Sequence, residues 1–282
     1  MKTQALRQLL KQEPFVYMPA AYDALGGRLV EDLGFKAVYV GGFVTGGSRC
    51  TSEPLLTMDE QVRVAGDVAN AVKIPAVADG GAGFGEPLHT MRTVREFLRA
   101  GVSGIHIEDQ LYPKRAHYHK YVAHAIPREE FVAKIKYACI ARDETDKDFV
   151  IIARTDTCRS EGLEEAVTRL NMAADVGADM GMFFPRNDEE MKARTEALAH
   201  PAGLCHESRQ PRGPPAANRL AARGHGLQTM HRCHHHASGK LSLFQEVPPG
   251  DLPHRNLYRH ELPGKYRRAA ADRRSGRPQT FI

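Results

Sequence analysis

The chain has 282 residues, 42% of them hydrophobic and 26% charged, a composition that suits a globular protein and excludes a disordered or fibrous one. No apolar run approaches the roughly 20 residues of a membrane span, and Met1-Lys2-Thr3-Gln4 opens an amphipathic pattern, not the apolar core of a signal peptide. The net charge of +5 is an average over two unlike parts: residues 201–282 carry +9 and the first 200 carry −4, so any nucleic-acid reading from basicity rests on the tail alone. The cysteines Cys50, Cys139, Cys158, Cys205 and Cys233 show no paired spacing, and a reduced, cytoplasmic compartment is expected.

Along residues 1–200, short apolar runs alternate with helix patterns, which is how a parallel α/β fold reads. The expected strands are Phe15–Met18, Ala37–Val40, Ala76–Ala78, Gly104–Ile107, Phe149–Ala153 and Met180–Phe184. Continuously apolar or β-branched, they suit strands buried on both faces. Thr57-Met58-Asp59-Glu60 is a capping box ahead of a helix over Val62–Val72. Pro87 fits the first turn of a helix over Leu88–Arg99. Leu33, Ala100 and Val176 end helical segments, and Gly34, Gly101 and Gly177 follow them as left-handed caps. Six β-α units, with no Gly-x-Gly-x-x-Gly turn after the first strand, favour a (β/α)8 barrel over an open dinucleotide-binding sheet.

In such a barrel the active site is built at the C-terminal ends of the strands. Polar residues gather at those ends: Tyr22 and Asp23, Gly41-Gly42, Asp79, His106 with Glu108, and Arg154 with Asp156. In Ile105-His106-Ile107-Glu108-Asp109-Gln110 the period of two places His106, Glu108 and Gln110 on one face. Buried together, they need polar company. Asp79 and Glu108 with water make an oxygen-rich set of the kind Mg²⁺ prefers, and a structural ion-pair network fits the same residues. His89 and His124 read as solvated side chains, Tyr112, Tyr118 and Tyr121 as loop packing, and Cys158 as a small buried cysteine.

Longer strings occur in one order: Pro19-Ala20-Ala21-Tyr22-Asp23-Ala24-Leu25, Val40-Gly41-Gly42-Phe43, Asp79-Gly80-Gly81-Ala82-Gly83-Phe84-Gly85, Ile107-Glu108-Asp109-Gln110 with Pro113-Lys114-Arg115, and Ala153-Arg154-Thr155-Asp156. Over residues 5–200 this resembles the isocitrate lyase and phosphoenolpyruvate mutase superfamily, which includes methylisocitrate lyases, oxaloacetate decarboxylases and carboxyphosphonoenolpyruvate mutases. The resemblance implies a TIM (β/α)8 barrel and a bound Mg²⁺, with Mn²⁺ as a substitute. Asp79 matches the acid that contacts the metal, and Glu108 the acid that holds its shell. Gly41, Gly42 and Phe43 match backbone amides that bind the substrate carboxylate and the developing enolate oxygen. Arg154 matches a carboxylate clamp, and Tyr22 and His106 fall among the substrate-binding motifs. Lys114, Arg115 and His117 lie in the family's mobile catalytic loop.

Three departures qualify that match. Gly81 replaces the second acid of the family's Asp-x-Asp, with Glu53 as a loose compensation. The loop runs Lys114-Arg115-Ala116-His117-Tyr118-His119, without the cysteine that serves the lyases as proton donor, which disfavours isocitrate and methylisocitrate cleavage by the usual route. Phe184-Pro185-Arg186-Asn187 stands where many members have a glutamate; Arg186 reads equally as a ligand for a distal carboxylate or as a surface residue.

After His200 the pattern collapses, and Arg, His and Pro dominate. Cys233-His234-His235-His236 is no metal site, because three adjacent histidines cannot all face one ion on a regular element. Read one nucleotide later, the codons available to Gly203–Arg212 permit Val-Tyr-Val-Thr-Ser-Arg-Gly-Asn-Arg, close to the family's seventh strand. Gly224–His234 and Tyr258–Lys265 permit further family-like strings. A single frameshift near residues 198–203 is therefore expected, giving a barrel over 1–200 that lacks its last two strands and an out-of-frame tail over 201–282. Relatives are homotetramers, and this tail does not supply their swapped helix, so poor assembly is expected.

The function expected is a Mg²⁺-dependent carbon–carbon lyase or decarboxylase of a small 2-oxo or 2-hydroxy dicarboxylate, passing through a pyruvate-type enolate. A phosphonomutase acting on a phosphonate substrate is the alternative within the enzymes. The alternative outside them is an inactive frameshifted product or a basic-tailed binding protein. No nucleic-acid or membrane partner is expected.

Overall fold

The alternation of apolar runs becomes one sheet. In this computed structural model, residues 1–13, 16–114, 124–185 and 190 are described, together with the backbone of Ala202–His206 and Thr229–Cys233. The chain divides into Met1–Lys240 and Leu241–Ile282, and all described residues fall in the first part. Strands β1 (Val38–Val40), β2 (Ala76–Asp79), β3 (Gly104–Glu108), β4 (Val150–Thr155), β5 (Met180–Phe183) and β6 (Ala202–His206) lie side by side in chain order, each parallel to the next. Helices α1 (Lys2–Gln12), α2 (Ala24–Asp32), α3 (Gly42–Ser48), α4 (Met58–Ala71), α5 (Pro87–Arg99), α6 (Arg128–Thr145), α7 (Thr157–Ser160) and α8 (Leu163–Asp175) accompany them.

The expected first strand is shorter than its sequence suggests. Pro14 and Phe15 lie outside the described residues, and beyond them the chain joins β1 through one parallel bridge, Ala20 to Tyr39. Two ladder hydrogen bonds carry it: Ala21 N–H donates to Tyr39 O at 2.8 Å and Tyr39 N–H to Pro19 O at 2.9 Å. Pro19, with no amide hydrogen, cannot extend the ladder as a donor.

The far edge also differs from expectation. β6 occupies a seventh parallel position, with Met182 opposite Gly203, so the sheet runs one parallel strand further than the sequence suggests. The next strand, β7 (Thr229–Cys233), is antiparallel to β6. A (β/α)8 barrel needs a parallel strand there, so the parallel array ends at β6.

Strand periodicity sorts the core into two layers. Val38, Val40, Ala76, Ala78, Ile105, Ile107, Ile151 and Ala153 face the helices, where they meet Val68, Phe97, Phe131 and Ile135. Tyr39, Val77, Val150, Ile152, Met180 and Met182 face the other way, onto Leu6 and Leu10 of α1. Each valine, isoleucine, leucine, methionine or phenylalanine among them, fully buried, contributes about 1.5–3 kcal/mol, and each alanine less. The helix termini follow the sequence signals. The Thr57–Glu60 capping box forms, and Gly34, Gly101 and Gly177 take φ of 84°, 91° and 108°.

Candidate active site

On the inner face the layers change character along the strands. Val77, Val150 and Ile152 are followed, toward the C-terminal ends, by Asp79 on β2, His106 and Glu108 on β3 and Arg154 on β4, all buried. Register brings them level: Asp79 stands opposite His106 and Glu108 opposite Arg154.

Asp79 is held by backbone. Its Oδ1 accepts from Gly81 N–H at 2.8 Å and its Oδ2 from Gly42 N–H at 3.2 Å. The Gly42 amide expected to bind substrate is thus engaged with Asp79, because α3 begins at Gly42 and points its first amide at the carboxylate. Where the resembled family carries a second acid, this chain offers the Gly81 amide. The turn after β2 needs glycine for close approach: a Cβ at Gly80 would lie 2.7 Å from His106 O. Lys134 of α6, itself buried, braces that turn by donating to Ala82 O at 3.1 Å.

His106 is fully buried. Its Nε2 shares a 2.7 Å hydrogen bond with the Tyr39 hydroxyl, and its Nδ1 lies 3.7 Å from Asp79 Oδ1. Burial lowers its pKa to about 4 against the upward pull of Asp79, so it is neutral at pH 7. Burial alone would raise Asp79, but His106, Lys114, Arg154 and the Gly81 amide outweigh it and hold the carboxyl below the usual range.

Lys114 closes the cluster. Its ammonium bonds the Glu53 carboxylate and lies 3.1 Å from Glu108 Oε1. Burial would lower its pKa, yet Glu108, Glu53 and Asp79 raise it, so it stays charged. Glu53 arrives from a short 3₁₀ turn, Glu53–Leu55. It fits only because residue 42 is glycine, since a Cβ there would lie 2.6 Å from Glu53 Oε1. Burial pushes Glu53 up to about 7 despite Lys114, and pushes Glu108 up as well.

Arg154 is gripped from two sides. Its Nε and Nη2 each donate at 3.1 Å to Asp156, a bidentate pair, and its Nη1 lies 3.2 Å from Glu108 Oε2. Gln110 in turn donates to Asp156 through Nε2. A guanidinium has five N–H donors, so this grip leaves Arg154 with donors for a ligand.

The structure therefore brings together Gly42, Asp79, His106, Glu108, Lys114 and Arg154 of the sequence-predicted set, and Gly41 N-caps α3 beside them. Tyr22 and Phe43 stay 37% and 40% exposed and are not drawn into the buried cluster. Arg115, His117 and Arg186 lie outside the described residues, as do Tyr118 and Tyr121. Cys158 is fully buried, as expected. His89 is exposed but accepts from Glu86 N–H at the start of α5, and Tyr112 packs edge-on to Phe84. Glu53, expected only as a loose compensation for the missing second acid, joins the site, and Asp156 and Tyr39 join it without having been assigned a role. For Tyr39 the available signal was strand parity, which aims its hydroxyl inward where it needs a partner.

This set fits a divalent cation. Four carboxylates, Glu53, Asp79, Glu108 and Asp156, face two fixed cations, Lys114 and Arg154. Both oxygens of Glu108 are buried without hydrogen-bond geometry, an expensive state for a carboxylate that lacks a further cation or water. Among the described residues no three His, Cys, Asp or Glu side chains converge as ready ligands.

Three comparisons bear on this arrangement. The 2,3-dimethylmalate lyase of Eubacterium barkeri is 38% identical over 197 residues, 68% of this chain and 67% of that protein. A solved oxaloacetate acetylhydrolase with the inhibitor 3,3-difluorooxalacetate is 34% identical, with a TM-score of 0.67 over 70% of this chain and 68% of that one. A phosphonopyruvate hydrolase solved with oxalate and Mg²⁺ is 31% identical, with a TM-score of 0.65 over 72% and 71%. The chain spans between 56% and 67% of the lengths of the first four curated relatives it matches. The phosphoenolpyruvate phosphomutase family matches residues 6–224, and the chain belongs to that family.

Proposed function

We propose that this site performs divalent-metal-dependent carbon–carbon bond cleavage, as a lyase or decarboxylase, on a small 2-oxo or 2-hydroxy dicarboxylate. The observation that carries this reading is the buried excess of carboxylates around Glu108, set opposite an arginine with donors to spare. Asp79 and Glu108 would hold Mg²⁺, with Mn²⁺ as a substitute and Glu53 as a third acid in reach. When bound, the ion supplies Lewis-acid polarisation of the substrate's 2-oxygen. Arg154 orients a substrate carboxylate with the N–H groups that Glu108 and Asp156 leave over. His106, hydrogen-bonded to Tyr39, stands beside Asp79, which the Gly42 and Gly81 amides hold in place. Lys114, with Arg115 and His117 next to it in sequence, would serve the catalytic step. Tyr22, Gly41 and the amide of Phe43 line the substrate's approach.

Phosphonate chemistry is the second reading, favoured by the similarity to a phosphonopyruvate hydrolase and by the absence of a cysteine after Arg115. One assay separates the two: turnover of oxaloacetate and alkylmalates against phosphonopyruvate, each with and without Mg²⁺. Cleavage of a dicarboxylate only with the metal supports the first reading. Phosphonopyruvate turnover alone supports the second, and no metal-dependent turnover of either sinks both.

For the tail we infer a single frameshift near residues 198–203, dividing the chain into barrel units over 1–200 and an out-of-frame segment over 201–282. The antiparallel β7 supports this, since an in-frame β/α unit would run parallel. Nucleotide sequence across codons 190–210 tests it, and an uninterrupted frame there would end the idea. Cytoplasmic residence and weak assembly, relative to the tetramers of the resembled family, belong to the same reading.

A further inference from the structure

Gln110 carries an acceptor that the cluster does not use. The residue is 1% exposed, and its Oε1 has no hydrogen-bond partner among the described residues. Its Nε2 donates to Asp156, the carboxylate that holds Arg154 by two hydrogen bonds of 3.1 Å. That bond fixes the amide's orientation. A carboxylate paired with a guanidinium only accepts, so the NH₂ group faces Asp156 and the carbonyl oxygen faces away from it.

Alternation of side chains puts this oxygen on the face that holds the site. Asp109 turns toward the helix layer, where it meets Arg169 of α8 at 3.3 Å. Gln110, one residue on, turns the other way, to the side of Glu108, Arg154 and Asp156. The backbone keeps it there: Asp109 N–H donates to Arg154 O at 3.1 Å, Leu111 N–H donates to His124 O at 2.8 Å, and Gln110 itself bridges Ala125. Both oxygens of Glu108 share the same unmet state, but the two residues differ in charge. A carboxylate is relieved best by a cation, and a neutral amide oxygen by an O–H donor. On an acid whose carboxylate is taken up by Arg154, the 2-oxygen is one carbon away and can carry that hydrogen. A 2-hydroxyl donates to Oε1. A 2-oxo oxygen only accepts, and leaves Oε1 unmet.

We propose that Gln110 is a specificity-determining residue whose Oε1 accepts a hydrogen bond from the substrate's 2-hydroxyl, so that the site prefers 2-hydroxy to 2-oxo acids. This rests on the dicarboxylate reading given under Proposed function and narrows its substrate class. The test is calorimetric titration of the full chain, in saturating Mg²⁺, with two non-reacting probes, malonate and tartronate. Both are dianions of the same carbon skeleton and differ by one 2-hydroxyl, so a change of charge in the protein acts on them alike. Gln110→Met removes the whole amide, whereas Gln110→Lys keeps a donor for Asp156 and offers no acceptor. In each variant the ratio of the malonate Kd to the tartronate Kd should fall by about threefold or more from its value in the unsubstituted chain. If Gln110→Met does not fold, Gln110→Lys decides. A smaller fall in Gln110→Lys, or loss of both ligands alike, overturns the proposal, confines Gln110 to holding Asp156, and leaves the functional reading intact. Failure of the unsubstituted chain to bind either diacid with Mg²⁺ overturns that reading and this proposal together.

Discussion

The inner face of the sheet has two halves built by the same strands. Toward the N-terminal ends, Val77, Val150, Ile152 and Met180 pack on Leu6 and Leu10 of α1 and exclude water. Two residues further along the same strands, at the same parity, stand Asp79, Arg154 and, beside them, Glu108. Pleat and register are continuous from one half to the other; only side-chain chemistry changes. The lower half supplies the stability that makes the upper half tolerable, since buried charges of both signs are a weak source of stability on their own. A strand that changes from apolar to charged on one face, at its C-terminal end, therefore marks a site and not an error of folding.

Substitutions in the two halves should separate function from stability. The largest effect belongs above: Glu108→Gln should cut metal-dependent oxaloacetate turnover by about 10²–10³-fold, and chelation of divalent cations should abolish it. Steady-state kinetics across an Mg²⁺ series checks both, and a variant that keeps full turnover would remove Glu108 from the site. Below, Ile152→Ala should cost about 3 kcal/mol of stability, read by chemical denaturation. Its oxalate affinity, measured where the variant is folded, should stay within about twofold. A large change in affinity would mean that the halves are coupled.

The strands were legible because burial on two faces leaves apolar residues at every position, and the polar residues that end them stand out. Asp79, Glu108 and Arg154 were found in this way. The helix caps were legible because Thr57, Glu60 and the glycines at 34, 101 and 177 act locally. Glu53 was legible only as a loose match, since its place depends on a missing Cβ at Gly42, eleven positions away and on another element. Tyr39 was hidden for the opposite reason: it sits inside an apolar strand, and only its hydroxyl, aimed at His106, gives it a role. The short first strand was overread because Pro19 interrupts its ladder. In the tail, β6 was missed because Ala202–His206 carries no strand periodicity, its pairing being a property of β5 and its backbone.

Asp156 tests how far the upper half depends on orientation as distinct from charge. Asp156→Asn keeps the shape but weakens the bidentate hold on Arg154 and its link to Gln110. Oxalate affinity should fall about 10–100-fold, while Asp156→Glu should restore part of it. Equal loss in both variants would make the role of Asp156 purely one of shape.

The smallest effect lies in the outer layer, below the loop that carries Gln110. Arg169 of α8 reaches Asp109 at 3.3 Å and Ile126 O at 2.7 Å, and its Nε donates to Glu165 at 2.7 Å. Arg128 holds the other side of the same carboxylate. The hydrogen bonds from Arg128, then those from Arg169, lower the Glu165 pKa from 4.5 to about 2. A depressed carboxylate stabilises the fold above its unfolded pKa, and that contribution is lost as pH falls through its folded one. The stability difference between the unsubstituted chain and Glu165→Gln should therefore be constant above pH ~5, at about 1 kcal/mol for a partly exposed pair, and should shrink toward zero between pH ~4.5 and ~2. Urea unfolding of both proteins across that range measures it. A difference that does not change with pH would assign the effect to packing of the side chain, leaving the buried Asp109–Arg169 pair to support the site without help from Glu165.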